Sequence, residues 1–136
     1  MAKVKFRHIA ISTENPQELA AWYKEAFGLV GVGKTGHGGV YLSDGDINFA
    51  ILRIPSKEDP TKAQIGVSHF GLMSDDTDAT CQKLVEIGAE QLPTMPIANQ
   101  FFEMKFLAPD GLGFDISEHG WPGTTPVVST DEGDAK

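Results

Sequence analysis

His8 and His69 stand at matching places in two strand-like stretches, and paired imidazoles are a common starting point for a metal centre. The first stretch is Lys5-Phe-Arg-His-Ile-Ala-Ile-Ser12 and the second is Gly66-Val-Ser-His-Phe-Gly-Leu-Met73. His8 aligns with His69, Ile9 with Phe70, Ala10 with Gly71 and Ile11 with Leu72, without a gap. In the same register Asn15 meets Asp76, each placed to cap a following helix. A lone strand histidine is usually a hydrogen-bonded core or surface residue. Two at equivalent points of a repeat would meet if the repeats are related by a pseudo-two-fold. A carboxylate converging on them would complete a two-histidine, one-carboxylate set, which leaves coordination positions open for substrate or oxygen.

The last strand, Gly113-Phe-Asp-Ile-Ser117, offers that carboxylate, and strand phase bears on which one. With Phe114 and Ile116 turned toward a helix, Asp115 points the other way. Glu118 is the alternative, and it falls on the helix side unless the strand bulges or ends. By the same alternation, Met104 and Phe106 packing on one face put Glu103 and Lys105 on the other. Lys105 there would stabilise a developing oxyanion or, with a depressed pKa, move a proton; a rim salt bridge to Glu103 is the plainer account. Tyr41 is placed to hydrogen-bond a substrate oxygen or to serve as a buried structural tyrosine. His37 and His119 lie in turn-like sequence and carry no assigned role.

The elements that must position these groups follow from local signals. Val4 to Thr13 alternates as a strand, with Phe6 and Ala10 sharing the face of His8 and Ile9 and Ile11 opposite. Asn15-Pro16 opens a helix over Pro16–Phe27, with Leu19, Trp22, Tyr23, Ala26 and Phe27 as its apolar, core-facing stripe and Gly28 as its stop. Gly31 to Gly39 lacks the spacing of a phosphate loop and reads as a short strand and a turn. Val40–Ser43 and Ile47–Ile54 are strands around an Asp44-Gly45 turn, the second with Ile47, Phe49 and Ile51 on one face and Asn48, Ala50 and Leu52 on the other. Pro55–Gln64 is a polar connector. The second half repeats the plan, with Val67 and Met73 on the face of His69. Its helix runs over Thr77–Ile87, apolar at Cys81, Leu84, Val85 and Ile87, and stops at Gly88. A strand over Phe101–Leu107, a Pro109-Asp-Gly111 turn and the last strand follow. From Pro122 onward little is left to bury, and a mobile acidic tail is expected.

The predicted fold is α+β: two βαβββ modules, about residues 1–55 and 65–121, forming one domain over 1–121. Their helices cover one face of each curved sheet, and the other face is left to line a cleft. At 136 residues, one domain or two small modules sharing a core is the expectation. The net charge of −8 argues against nucleic acid as a partner, because a basic stripe is needed to displace phosphate counterions. That acidity serves solubility and would also suit a cationic ligand. No apolar run is long enough for a membrane helix, and no signal-peptide pattern is seen. A single cysteine, Cys81, excludes an internal disulfide and fits a reducing cytoplasm.

Several motifs together resemble the vicinal oxygen chelate superfamily, also called the glyoxalase/bleomycin-resistance/dioxygenase superfamily. They are Arg-His8-Ile-Ala-Ile followed by Asn-Pro, Trp22-Tyr-Lys-Glu-Ala-Phe-Gly28, His69-Phe-Gly-Leu, and Phe106-Leu-Ala-Pro-Asp-Gly111 with an acid four residues past the glycine. The resemblance covers Val4 to His119. It implies a cleft holding a divalent metal (Fe, Mn, Ni or Zn) that chelates vicinal oxygens of a small substrate, with many small members working as homodimers whose site is completed across subunits. It also implies His8, His69 and Asp115 as the ligands. The family usually has glutamate at the last position, so the shorter aspartate brings the metal nearer its strand or binds it more weakly. Glyoxalase I and methylmalonyl-CoA epimerases take a fourth ligand, Glu or Gln, from the strand that here holds Asn48 and Ala50. Extradiol dioxygenases match the three-ligand count, but their active-site tyrosine would fall near Lys105. Fosfomycin-resistance transferases share the three ligands and a tyrosine at Tyr41, yet their second tyrosine also maps to Lys105. Bleomycin-binding proteins share fold and acidity but need no metal. The resemblance thus implies a metal-dependent lyase, isomerase or oxygenase, or else a module that binds a small molecule without chemistry.

Overall fold

The computed structural model describes residues 2–54, 65–93 and 103–127. The chain runs β1 (Val4–Thr13), α1 (Pro16–Phe27), β2 (Val30–Lys34), β3 (Val40–Ser43), β4 (Asn48–Arg53), β5 (Gly66–Ser74), α2 (Thr77–Glu86), β6 (Glu90–Gln91), β7 (Met104–Leu107) and β8 (Gly113–Ser117). This is βαβββ written twice, an α+β fold as the repeat predicts. The element without a sequence signal is β6, whose two residues pair with Leu107 and Phe106. Two residues are too few to show alternation. The predicted connector at 55–64 and the start of the strand expected at Phe101 lie outside the described residues.

The described residues form two compact units, one of 8–54, 65–69 and 122–124, the other of 2–7, 70–93, 103–121 and 125–127. Strands β1 and β5 each change unit part-way, after Arg7 and after His69. In the first unit the strand order is β2-β3-β4-β1. β1 and β4 are parallel, with His8 opposite Asn48 and Ile11 opposite Ile51, and β3 is antiparallel to its neighbours. The Asn15 side chain caps α1 by accepting from the Glu18 amide at 3.3 Å, and Gly28 ends the helix at φ 71°. Ala20, Leu19 and Tyr23 of α1 pack with Val40, Leu42, Ile51, Ile11 and Phe49. Trp22 and Phe27 do not join them: they are 58% and 67% exposed and meet edge to face at 6.3 Å. Ala26 is exposed too, so the apolar stripe of α1 is wider than the strip of helix the sheet covers, and the expectation that all five positions are core fails at three of them.

In the second unit the order is β5-β8-β7-β6, with β5 and β8 parallel and Gly71 opposite Asp115. Asp76 caps α2 by accepting from the Ala79 amide at 3.1 Å. The core is Phe106, Phe114 and Ile116, with Phe70, Leu72, Cys81 and Leu84 against it. Val85 and Ile87, expected in the apolar stripe, are exposed. Burial and the nearby Asp78 charge push the Cys81 thiol up, and its Sγ rests 3.5 Å from the Met104 sulfur, as suits an unreactive packing residue. The amino end of β1 is held here too. Phe6 meets Phe70 at 5.8 Å, and the Lys3 amide donates to Asp75 Oδ1 at 2.7 Å.

Residues 122–127, where the sequence predicts the start of a mobile tail, make specific contacts. The Pro122 carbonyl accepts from Asn48 Nδ2 at 2.8 Å, and Ser43 Oγ donates to the Gly123 carbonyl at 2.9 Å. Gly123 sits at φ 84°, and a Cβ there would lie 2.6 Å from Ser43 Cβ, so the close approach requires glycine. In the other unit Val127 is buried with Met73 and Trp121, and Arg7 Nε donates to the Thr125 carbonyl at 3.0 Å. A few specific contacts tie down a segment whose composition is that of a loose tail. The acidic residues Asp131, Glu132 and Asp134 lie outside the described residues.

The Asp44 turn carries a pH-dependent contribution. Its Oδ1 accepts from the Ile47 amide at 2.8 Å and the Asp46 amide at 2.9 Å. These bonds favour the ionised form and hold the carboxyl below the usual aspartate value. The stabilisation is present above the unfolded-state pKa of about 3.9 and is lost as pH falls through the depressed folded value. Asp44→Ala is expected to cost about 0.5–1 kcal/mol at neutral pH, at the low end for hydrogen bonds because the turn is exposed. Urea titrations at stepped pH should show that difference shrinking below about pH 4. A constant difference down to pH 2.5 would refute the assignment.

Candidate functional site

His8 and His69 are brought together within the first unit, with ring centroids 5.4 Å apart and planes inclined by 44°. His8 is buried, on the face of β1 opposite Ile11, which packs toward α1. Its Nδ1 lies 2.7 Å from Oδ1 of Asn48, the residue directly across the parallel pair. The orientation of that amide follows from its other end. Asn48 Nδ2 faces the Pro122 carbonyl, which can only accept, so Oδ1 must face His8 as an acceptor. Nδ1 of His8 therefore carries a proton, which in the neutral tautomer puts the lone pair on Nε2. Metal-binding histidines are commonly held by a hydrogen bond of this kind. His69 makes a looser contact, with Nδ1 2.9 Å from Ser68 Oγ.

Asn48 is a residue whose importance the sequence did not expose. Its phase in β4 is readable from the alternation of Ile47, Phe49 and Ile51. Its pairing with His8 is not, because register between β1 and β4 is a tertiary property. Tyr41 shares this face. Ser43 is opposite Asn48 and Tyr41 is opposite Ala50, so alternate residues of β3, β4 and β1 look the same way. The Tyr41 ring lies along Gly33, where an added Cβ would come within 3.4 Å of it.

The second unit holds the acids and Lys105. Phe114 and Ile116 pack toward α2, and Asp115, 2% exposed, points to the other face of β8. Glu118 lies beyond the end of the strand, is exposed, and contacts His119 Nε2 at 3.3 Å. Lys105 stands opposite Asp115 in the β7–β8 pair. Its Nζ is 3.0 Å from Asp115 Oδ1 and 3.4 Å from Glu103 Oε2, and Glu103 also accepts from the Trp121 indole N–H. Burial alone would lower the Lys105 pKa, but the charges and hydrogen bonds of Asp115 and Glu103 outweigh it, and the pKa is raised. Of the alternatives open for Lys105, the ion-paired one is what the geometry supports: two carboxylates hold the ammonium charged. The rim salt bridge to Glu103 exists, and the shorter contact is to Asp115.

Lys105→Met should remove the ammonium that lies 3.0 Å from a buried carboxylate. The loss is expected to be about 1–3 kcal/mol, below that of a fully buried pair because the Lys105 side chain is 46% exposed. Urea unfolding in the presence of a chelator measures it. A change under about 0.5 kcal/mol would mean the ion pair does no structural work.

Paired βαβββ modules with histidines on the strand faces turned from the helices define a recognisable class. Residues 5–116 match the sequence model described as the Glyoxalase/Bleomycin resistance protein/Dioxygenase superfamily, and the chain belongs to that superfamily. Solved structures agree in fold. A hypothetical protein from Bacillus halodurans C-125 superposes with a TM-score of 0.71 at 18% identity, over 85% of this chain and 94% of that one. A Mn(II)-bound glyoxalase from Novosphingobium aromaticivorans gives 0.67 at 19% identity, over 98% of this chain, which spans 45% of that protein. Methylmalonyl-CoA epimerase from Mycobacterium tuberculosis gives 0.65 at 15% identity, over 93% and 91%. No curated protein matches the chain significantly. No helix among the described residues is long and apolar enough to cross a membrane.

Proposed function

We propose that the protein is a metal-dependent enzyme acting as a lyase, isomerase or oxygenase on a small substrate with vicinal oxygens, and that His8, His69 and Asp115 hold the ion. The observation that carries this reading is the His8–His69 pair with its Asn48 brace, which fixes Nδ1 of one ring beside a second imidazole. Asp115, the third residue of the proposed ligand set, points from β8 to the face turned away from α2. Two imidazoles and one carboxylate suit Fe(II), Mn(II), Ni(II) or Zn(II) better than the all-oxygen shells of Mg(II) or Ca(II). The Mn(II)-bound glyoxalase among the similar folds supports a divalent ion of this type. When bound, the ion would supply Lewis acidity to substrate oxygens or activate oxygen.

The chain's own residues have separable tasks. Asn48 fixes the tautomer and plane of His8. Lys105 keeps Asp115 ionised and aimed, with Glu103 and Trp121 behind it, which makes it a positioning residue. Tyr41, on the His8 face of the first unit, orients a substrate oxygen through its hydroxyl. Asp115 takes the ligand role in preference to Glu118, which is solvated and paired to His119. A homodimer in the cytoplasm completes the reading. The exposed Trp22 and Phe27 would suit a covered face, and the lone Cys81 suits a reducing compartment.

One observation favours a second reading. The Lys105 ammonium already places a positive charge on Asp115, as a protein that binds its ligand without a metal would require. Metal analysis of protein purified without a histidine tag separates the two. About one tightly held ion per chain supports the enzyme. No ion, together with ligand capture unaffected by chelator, supports a binding module.

A further inference from the structure

The unit that holds α2 contains a cavity of about 440 Å³, within the range of small-molecule sites, about 300–1,000 Å³. Its walls are Val4, Leu72, Leu84, Phe114 and Ile116. Exposed Ala79 and Lys83 stand at its border, so it is an apolar pocket open to solvent rather than a closed void. Two polar side chains border it. The Thr80 hydroxyl is committed to Ser74 Oγ at 2.6 Å. Lys83 is exposed, and among the described residues its ammonium has no ion-pair partner. The cavity thus offers an aliphatic and aromatic interior with one cation beside it, in a chain of net charge −8. It lies on the Phe114 and Ile116 face of β8, opposite the face to which Asp115 points, so it is separate from the candidate metal ligands.

We propose that this cavity binds a medium-chain monocarboxylate, its hydrocarbon chain against Leu72, Leu84 and Ile116 and its head group on Lys83. An acid suits the border because the single fixed charge there is positive. The long stem of Lys83 extends the apolar wall and delivers the charge at its end. An alcohol of the same length would gain only the hydrocarbon contacts, and an amine would meet like charge.

The test titrates sodium decanoate, decanol and decylamine into the full chain, using calorimetry together with NMR shifts of the Leu72, Leu84 and Ile116 methyl groups. Decanoate is expected to bind at least about tenfold tighter than decylamine, with shifts at those methyls. Lys83→Met keeps the stem and should abolish that preference while leaving decanol binding unchanged. Ala79→Phe, introduced from an exposed wall position, should fill the space and remove binding of all three. Equal binding of acid and amine, decanoate binding that survives Ala79→Phe, or no saturable binding below about 1 mM would overturn the proposal.

Discussion

Replacing His8 with alanine is expected to leave the purified protein with essentially no tightly bound divalent ion, against about one per chain in the parent. The variant removes a donor atom outright, and two remaining ligands rarely hold a first-row divalent ion through purification. The graded companion is Asn48→Ala. It keeps His8 Nε2 but deletes the acceptor that holds Nδ1–H, and loss of such a brace typically weakens metal binding about 10–100-fold. The same change strands His8 Nδ1 and the Pro122 carbonyl, which should cost about 1–3 kcal/mol of stability. Competition with a colorimetric chelator, using Mn(II) and Zn(II), measures the affinities, and circular dichroism confirms that each variant is folded. Full metal retention in folded His8→Ala would defeat the metal reading. An unchanged affinity in Asn48→Ala would leave the metal in place but remove the brace from the account.

The second large effect is structural. Phe106→Ala is expected to destabilise the protein by about 3–5 kcal/mol, a large share of the 5–15 kcal/mol typical of a domain. Phe106 is fully buried and stacks on Phe114 at 5.7 Å, and Phe114 in turn stacks on Phe70 at 5.8 Å. Truncation removes the first ring of that stack and leaves a cavity between α2 and the strands beneath it. Its neighbour Lys105 points to the opposite face, so the loss would reach the candidate ligand Asp115 only through the β7–β8 pairing. Urea unfolding provides the measurement, with Phe27→Ala as the control. Phe27 is exposed, and its truncation should cost well under about 1 kcal/mol. Equal losses for the two would mean that the stack is not where the second unit keeps its stability.

Much of the architecture is local and therefore legible in sequence. The bounds of α1 follow from Asn15, Pro16 and Gly28, because capping and left-handed termination depend on residues next to one another. Asp76 marks α2 in the same way. The phase of β8 follows from Phe114 and Ile116, and with it the direction of Asp115. The gapless repeat exposed the two modules and matched His8 to His69. Stripe width was overestimated at Trp22, Ala26, Phe27, Val85 and Ile87, because periodicity gives the direction of an apolar face but not how much of it a neighbour covers.

What required tertiary structure was register and long-range contact. Asn48 faces His8 because β1 and β4 pair in parallel with those residues opposite, a relation set across forty residues of chain. The Lys105–Glu103 pair was readable from strand phase, but the nearer contact to Asp115, 3.0 Å across the β7–β8 pair, was not. The contacts of residues 122–127 were hidden for a related reason: composition does not show one carbonyl on Asn48 or one buried valine. Local chemistry thus settled the elements and the residue types that could act, while strand pairing decided which of them touch. Side-chain pKa, tautomer and order all depend on those contacts, and contacts between distant segments leave no periodic trace in the chain.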